Sequence, residues 1–415
     1  MKPDVRHGDM REVLRELAAE GRVFHACVTD PPYHLTSIHE RFAKTGGADR
    51  QVPKKEHQYA RLSRGFMGQE WDGGDIAFRP ETWRAVWDVL APGAHLVAFS
   101  GTRTFHRMAV AIEDAGFEIR DTLMWLYGQG FPKSHNQEGE WDGWGTALKP
   151  AWEPIVLARK PLGGTVAANV LQHGTGALNI DGCRVPGAKP DTTRGASPGR
   201  CMAGKMGAQG RIEDDGLGRW PANVLHDGSP EVEDAFAAFG ERRSSPVLGQ
   251  VGWRPGGFGN VGAPAGGSVP CASGYGDAGS ASRFFYAAKA TGQERVYCCR
   301  DCGARWMGSV RACEHDSPLR SHPTVKPVEL MRWLVRLITP PGGSVLDPFA
   351  GSGTTLAAAA LERAHALGVE LDPEHVGDIR HRLAQLGAGD APPVVRPRPA
   401  KAATDLPLFA ALAGL

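Results

Sequence analysis

The spacing of apolar residues changes character along the chain. From residue 1 to about 160, short apolar runs alternate with stretches of helical spacing. Arg22 to Thr29 reads as a strand, Thr82 to Leu90 as a helix, His95 to Ser100 as a strand, and Arg103 to Ala115 as a helix; Thr122 to Tyr127 and Pro154 to Ala158 read as strands. This alternation predicts βαβ units on a largely parallel sheet, an α/β fold. From about 161 to 295 the period dissolves. Between Gly249 and Arg283 eleven of 35 residues are glycine, which no regular helix or strand tolerates. Order returns at Val325. VELMRWLVRLI (328–338) has an amphipathic helical period, GSVLDPFAGSGTT (343–355) is a strand entering a glycine-rich turn, and a helix, a strand and a final helix follow. These changes predict boundaries at 1–160, 161–295, 296–317 and 318–386, with a proline-rich linker tail over 387–415.

At 415 residues with 41% apolar content, the chain can bury a full core. A net charge of +1 excludes a broadly basic protein and leaves only local basic patches for nucleic acid. No apolar run approaches the length of a membrane span and MKPDVRHGDM has no apolar signal core, so the expectation is a cytoplasmic protein without membrane contact. Four of the eight cysteines lie between Cys298 and Cys313, which fits a reduced compartment and a local metal site better than a disulfide framework.

Two stretches carry chemistry. TDPPY (29–33) drives a β-prone run into an acid, two prolines and a tyrosine. Proline fixes φ and has no N–H, so Pro31 and Pro32 make a stiff, acceptor-rich corner beside Asp30. Far downstream, VLDPFAGSGTT (345–355) ends a strand at Asp347, and Gly351 and Gly353 let the backbone turn tightly and approach a ligand. No lysine follows the glycines, which excludes a triphosphate-binding P-loop. Glu370 ends the next strand, close to the offset at which an acid accepts hydrogen bonds from ribose hydroxyls in dinucleotide folds.

Together these motifs resemble the amino-methyltransferases of DNA, which use S-adenosylmethionine. HPTVKP (322–327) with its following helix, and HGDM (7–10), extend the resemblance, and the motif order is similar to the β class, a circular permutation. The resemblance covers roughly residues 1–160 and 318–385. It implies a Rossmann-like, doubly wound methyltransferase sheet with an inserted target-recognition region. It also implies a cofactor site of Asp9, His322, Thr324, Lys326, Asp347, Pro348, Phe349, Gly351, Ser352, Gly353, Thr354 and Glu370. The catalytic corner would be Asp30, Pro31, Pro32 and Tyr33. An exocyclic base amine is a poor nucleophile because its lone pair is delocalised into the ring. The Asp30 carboxylate and the Pro31 carbonyl would accept its two hydrogens and aim the lone pair at the methyl group, while Tyr33 stacks on the base. A base inside duplex DNA must first be flipped out.

In the family, an acid at the first motif position goes mostly with adenine N6, so Asp30 favours adenine, with cytosine N4 as the alternative. Cytosine C5 chemistry needs an attacking cysteine, and Cys27 lies in mid-strand. The double-stranded DNA partner would be read by the variable zone, where Lys189, Arg194, Arg200, Lys205, Arg211 and Arg219 could contact phosphates or guanine edges. Cys299-x2-Cys302 has the spacing of a zinc knuckle that Cys313 and His315 could close, with Cys298 as an alternative to Cys299. Such a knuckle is expected to be a structural clip for the DNA-reading insert. A second function class remains, a non-catalytic zinc-bearing DNA-binding protein on a methyltransferase scaffold. At the end, DLPLF (Asp405 to Phe409) resembles the peptide by which bacterial proteins hook onto the replication sliding clamp. The sequence leaves open the oligomeric state, a homodimer included, and whether a restriction partner exists.

Overall fold

A computed structural model describes residues 3–34, 75–130, 134–187, 218–243, 278–288, 294–308, 311–315, 319–322 and 324–386. The chain divides into two compact units. One holds 1–183, 223–229 and 287–415, and the other 184–222 and 230–286.

The larger unit is built on a mixed nine-stranded sheet. Its strands are β1 (Asp4–His7), β2 (Phe24–Thr29), β3 (Leu90–Phe99), β4 (Glu118–Leu126), β5 (Trp152–Arg159), β6 (Val224–His226), β9 (Tyr286–Ala287), β13 (Ser344–Asp347) and β14 (His365–Glu370). The spatial order is β1-β14-β13-β2-β3-β5-β4-β6-β9. The run from β1 to β3 is parallel throughout, whereas β5 is antiparallel to both β3 and β4. From β13 the chain returns to β14 on one side, and from β2 it goes on to β3 on the other. The β13–β2 junction is therefore a topological switch point, the place where open α/β sheets bind ligands.

Helices α1 (Met10–Ala19), α2 (Pro80–Asp88) and α3 (Phe105–Asp114) send Leu14, Leu17, Trp83, Val86, Met108 and Ile112 into one core with Cys27, Leu96, Val156 and Leu346. Along β2, Ala26 and Val28 are as buried as Cys27 but alternate to the other face, and α6 (Val328–Ile338) packs against β2 and β3. Seven of the eleven residues of α6 are buried, each large one worth about 1.5–3 kcal/mol of apolar transfer. This matches the amphipathic helix expected over the same residues. The helices α4 (Val166–His173), α7 (Thr354–Leu361) and α8 (Pro373–Gln385) complete the unit.

Three expectations shift. Leu90, expected to end a helix, begins β3, and the strand runs through Pro92–Gly93 because Gly93 adopts φ +75° and donates to the Lys160 carbonyl at 3.1 Å. The sheet, expected to be largely parallel, turns antiparallel at β5. The stretch after residue 161 contains more regular structure than its composition suggests, including α4 and the sheet strand β6, where Leu225 and His226 are buried.

A separate antiparallel three-stranded sheet, β11-β10-β12, is formed by β10 (Val296–Cys299), β11 (Arg305–Met307) and β12 (Leu319–Ser321). The smaller unit contains α5 (Pro230–Ala237) and the pair β7 (Arg242–Arg243) and β8 (Ala278–Gly279). Arg219, expected to be available to DNA, is buried in this unit. Its guanidinium donates to the carbonyls of Pro186 and Arg283, both at 2.8 Å, and lies over the Phe284 ring. Lys189, Arg194, Arg200, Lys205, Arg211 and the Asp405–Phe409 peptide lie outside the described residues. Among those described, no helix is long and apolar enough to cross a membrane.

Candidate active site

β2 and β13 run side by side, Ala26 opposite Val345 and Cys27 opposite Leu346, so both strands deliver their carboxyl ends to the same edge. Thr29, the last residue of β2, donates its hydroxyl to the Asp347 carboxylate at 2.7 Å, joining residues 318 apart. Asp347 also accepts the Phe349 N–H at 3.2 Å. Burial raises its carboxyl to about 6, against the pull of hydrogen bonds from Thr355, Thr29 and the Phe349 backbone; nearby Asp30 adds to the rise.

Beyond Asp347 the chain turns through Gly351 (φ +51°) and Gly353 (φ +73°), left-handed conformations that favour glycine. Both glycines are also fixed by close neighbours. A Cβ on Gly353 would stand 2.8 Å from Ile379 Cγ1, and one on Gly351 would stand 3.1 Å from His322 Nε2. Gly353 begins α7, with Thr354 as the first helical residue, and Ser352 and Thr354 hydroxyls lie 2.9 Å apart. Glu370, at the end of β14, accepts the Gly351 N–H at 2.7 Å and the Asp372 N–H at 2.9 Å, one on each oxygen. The acid thus sits directly beneath the turn. Asp9 caps α1 by accepting the Arg11 N–H, and the Arg11 guanidinium holds its carboxyl below the usual range. The preceding Gly8 donates to the Glu370 carbonyl at 3.0 Å, placing Asp9 at the same edge.

Two described residues of HPTVKP, His322 and Lys326, reach the two motifs. His322 Nδ1 lies 2.7 Å from the Thr324 carbonyl, and its ring meets that of His375 edge-on at 4.8 Å. Burial, with the nearby His375, drives its pKa down to about 4. Lys326 turns instead to the DPPY corner. Its ammonium is 3.3 Å from Asp30 Oδ2, 2.8 Å from Glu153 Oε2 and 2.9 Å from the Tyr33 hydroxyl. Tyr33 is within donating distance of Asp30 at 2.9 Å and Glu153 at 3.0 Å; its single proton serves one carboxylate at a time. Burial, reinforced by Glu153, raises Asp30 above the ordinary carboxylate range although Lys326 pulls the other way. Burial also opposes charge on Lys326, but the two carboxylates win and its pKa is raised.

Glu153, near the start of β5, was not singled out from the sequence. It sits in WEPIVLA, where the following Pro154 reads as the start of a strand and its charge as a solvated end. Its burial beside Lys326 becomes visible only once β5 lies next to β3 at the switch edge.

Cys299, Cys302, Cys313 and His315 come together, their ligand atoms all within 4.8 Å of one another. Cys298 does not join them. Successive strand residues face opposite ways, and its sulfur is directed to the carbonyls of Cys299 and Gly303. Cys27 is fully buried in β2 and its thiol is pushed up by that burial, which leaves it no role as an attacking nucleophile.

A family model described as a DNA methylase, of the N6/N4 methyltransferase type, matches residues 286–380. The type II methyltransferase M.HindIII of Haemophilus influenzae is 28% identical over 183 residues, 37% of this chain and 58% of that protein. The DNA adenine methyltransferase YhdJ of Escherichia coli is 41% identical over 56 residues, 14% of this chain and 19% of that protein. The chain thus spans little more than half of the first relative and about a fifth of the second. The crystal structure of the cytosine-N4-specific PvuII DNA methyltransferase aligns over 92% of this chain and 86% of that one, at 13% identity and a TM-score of 0.39, a superposition too loose to bear on substrate. Residues 286–380 are thus similar to the N6/N4 type of DNA methylase, and the curated relatives that match parts of this chain are DNA methyltransferases.

Proposed function

We propose that the protein transfers the methyl group of S-adenosylmethionine to the N6 amine of a flipped adenine in double-stranded DNA, at a short specific sequence. The observation that carries this reading is the joining of Asp30 and the Asp347–Gly353 turn on adjacent parallel strands through the Thr29–Asp347 hydrogen bond. The glycine turn fits a nucleoside cofactor: positive φ at both glycines lets the backbone turn tightly at the end of β13, and each Glu370 oxygen that accepts a backbone N–H keeps a lone pair for a ribose hydroxyl. Asp347, Phe349, His322 and Asp9 line the same edge. S-adenosylmethionine, when bound, supplies an electrophilic methyl group on a sulfonium.

The chain's own residues prepare the amine. Asp30 accepts one amine hydrogen and the Pro31 carbonyl the other, drawing density onto nitrogen and aiming its lone pair. Lys326 and the Tyr33 hydroxyl, which hold Asp30 in the base-free protein, give way to the amine, and Glu153 keeps both within reach. As the amine takes the methyl group it would displace a neutral thioether, and its surplus proton would leave through the Asp30 carboxylate that already accepts it, and from there pass to water. Cys299, Cys302, Cys313 and His315 hold structural zinc in this reading, and the free thiols among the described cysteines suit a reducing cytoplasm. Adenine is preferred to cytosine on the acid at position 30.

The test is incubation with methyl-labelled S-adenosylmethionine and mixed-sequence DNA, with Asp30→Ala as control and nucleoside analysis of the product. Label recovered as N6-methyladenine with wild type alone supports the proposal. Label as N4-methylcytosine moves the substrate to cytosine. Label that is equal with the variant, or absent with both, sinks the catalytic reading in favour of a non-catalytic DNA-binding protein.

A further inference from the structure

Three sulfurs and one imidazole at mutual distances within 4.8 Å form a donor set suited to tetrahedral zinc. The surrounding strands are only three or four residues long, too short to hold this small sheet in place alone. The metal would therefore decide whether the knuckle is ordered, and the consequences depend on what the knuckle touches.

Two contact routes lead from it to the glycine turn. In the first, β12 pairs with β10, Leu319 opposite Cys299, and one residue beyond its end stands His322, whose Nε2 is 3.1 Å from where a Gly351 Cβ would lie. In the second, α8 packs against β10 and β11, and Arg305 of β11 donates to Asp378 of α8 at 2.8 Å with the carboxylate buried. The next residue of α8 is Ile379, 2.8 Å from where a Gly353 Cβ would lie. The ligand residue Cys299 is thus one strand pairing away from the residue that backs the first glycine. Arg305, six residues further along, pins the helix that backs the second.

We infer that zinc in this knuckle is a clip for the glycine-rich turn, so that zinc occupancy and S-adenosylmethionine affinity are coupled. This rests on the reading of the turn as the cofactor site. With the metal bound, β10–β12 seat His322 and α8 against the turn; without it, cofactor binding must also order the knuckle. Coupling between two sites is reciprocal, so the cofactor must tighten zinc by the same factor by which zinc tightens the cofactor.

The experiment uses the full chain purified with zinc. Cofactor affinity is measured by titration calorimetry before chelation, after chelation and after zinc is returned, and zinc affinity by competition with a chromophoric chelator, with and without saturating S-adenosylmethionine. The expected result is one zinc per chain, a rise in cofactor Kd of at least about fivefold on removal, full reversal on return, and an equal factor in the zinc competition. Arg305→Met cuts the second route without touching a ligand, and is expected to keep its zinc while binding the cofactor more weakly. It also covers the case in which a ligand variant such as Cys302→Ser fails to fold. Well under one zinc per chain would overturn the metal site. Zinc bound stoichiometrically with cofactor Kd unchanged within about twofold on its removal would overturn the coupling and leave the cofactor reading standing. A zinc-loaded chain that binds no S-adenosylmethionine would defeat the reading of the turn itself.

Discussion

Lys326 is in contact with two carboxylates, Asp30 and Glu153, whose side chains are 23% and 21% exposed while its own is 9% exposed. Replacing it with methionine keeps most of the stem and removes the charge, leaving two shielded acids bridged by Tyr33. Removing one partner from a buried ion pair costs about 3–5 kcal/mol, because the remaining charge is uncompensated. Lys326→Met should fall in that range. Glu153→Gln in the wild-type background removes a charged acceptor and should cost about 1.5–3 kcal/mol. If like-charge repulsion dominates once the lysine is gone, the double variant must be more stable than Lys326→Met alone, by at least about 1 kcal/mol, against the direction of Glu153→Gln in wild type. Urea unfolding at pH 7, followed by tryptophan fluorescence, measures all four corners of the cycle. A Lys326→Met loss below about 1 kcal/mol, or costs that simply add, would show that the lysine does not compensate the pair and that the network has been misread.

The remaining predictions concern the switch edge. His322 and Asp347 act oppositely on acid stability. Between about pH 4 and 6.5 the unfolded chain binds a proton at residue 322 that the folded chain refuses, so that group's contribution falls as pH falls through this window. Between about pH 4 and 6 the folded chain binds a proton at Asp347 that the unfolded chain lacks, so its contribution rises as pH falls. Asp347→Asn should therefore steepen acid destabilisation over pH 4–6 and His322→Asn should flatten or reverse it; two variants with the slope of wild type would refute both assignments. Gly353→Ala combines φ +73° with a contact 2.8 Å from Ile379 Cγ1 and should cost about 1–3 kcal/mol, as read from thermal melts; an unchanged melting temperature would refute the strain at this turn.

What the sequence made legible depended on how local the signal was. The helix over Val328–Ile338 was readable to the residue, because seven buried positions repeat on one face. The ends of β2 and β13 were readable because DPPY and DPFAGSG place acids, prolines and glycines where a strand must stop. Glu153 was not, since its role depends on pairing with β3 and on a lysine 173 residues away. The Pro92–Gly93 dipeptide reads as a break, yet β3 runs through it because Gly93 and Lys160 supply the hydrogen bonds that bridge the irregularity. The choice between Cys298 and Cys299 was open in sequence, although strand alternation already forbids both from facing one metal.

The neighbour of β2 on its β13 side is made late. Until residues near 345 have been synthesised, that edge of β2 has no native partner, and β14 in turn must insert between β13 and β1. An edge left open for so much of translation invites pairing with other chains. The contact that closes it spans 318 residues, which makes assembly of the central sheet a slow, high-contact-order event. In a growing cell, the yield of folded protein is then set by how long nascent chains are kept apart, and lower temperature or chaperone supply should raise it more than any change at the surface.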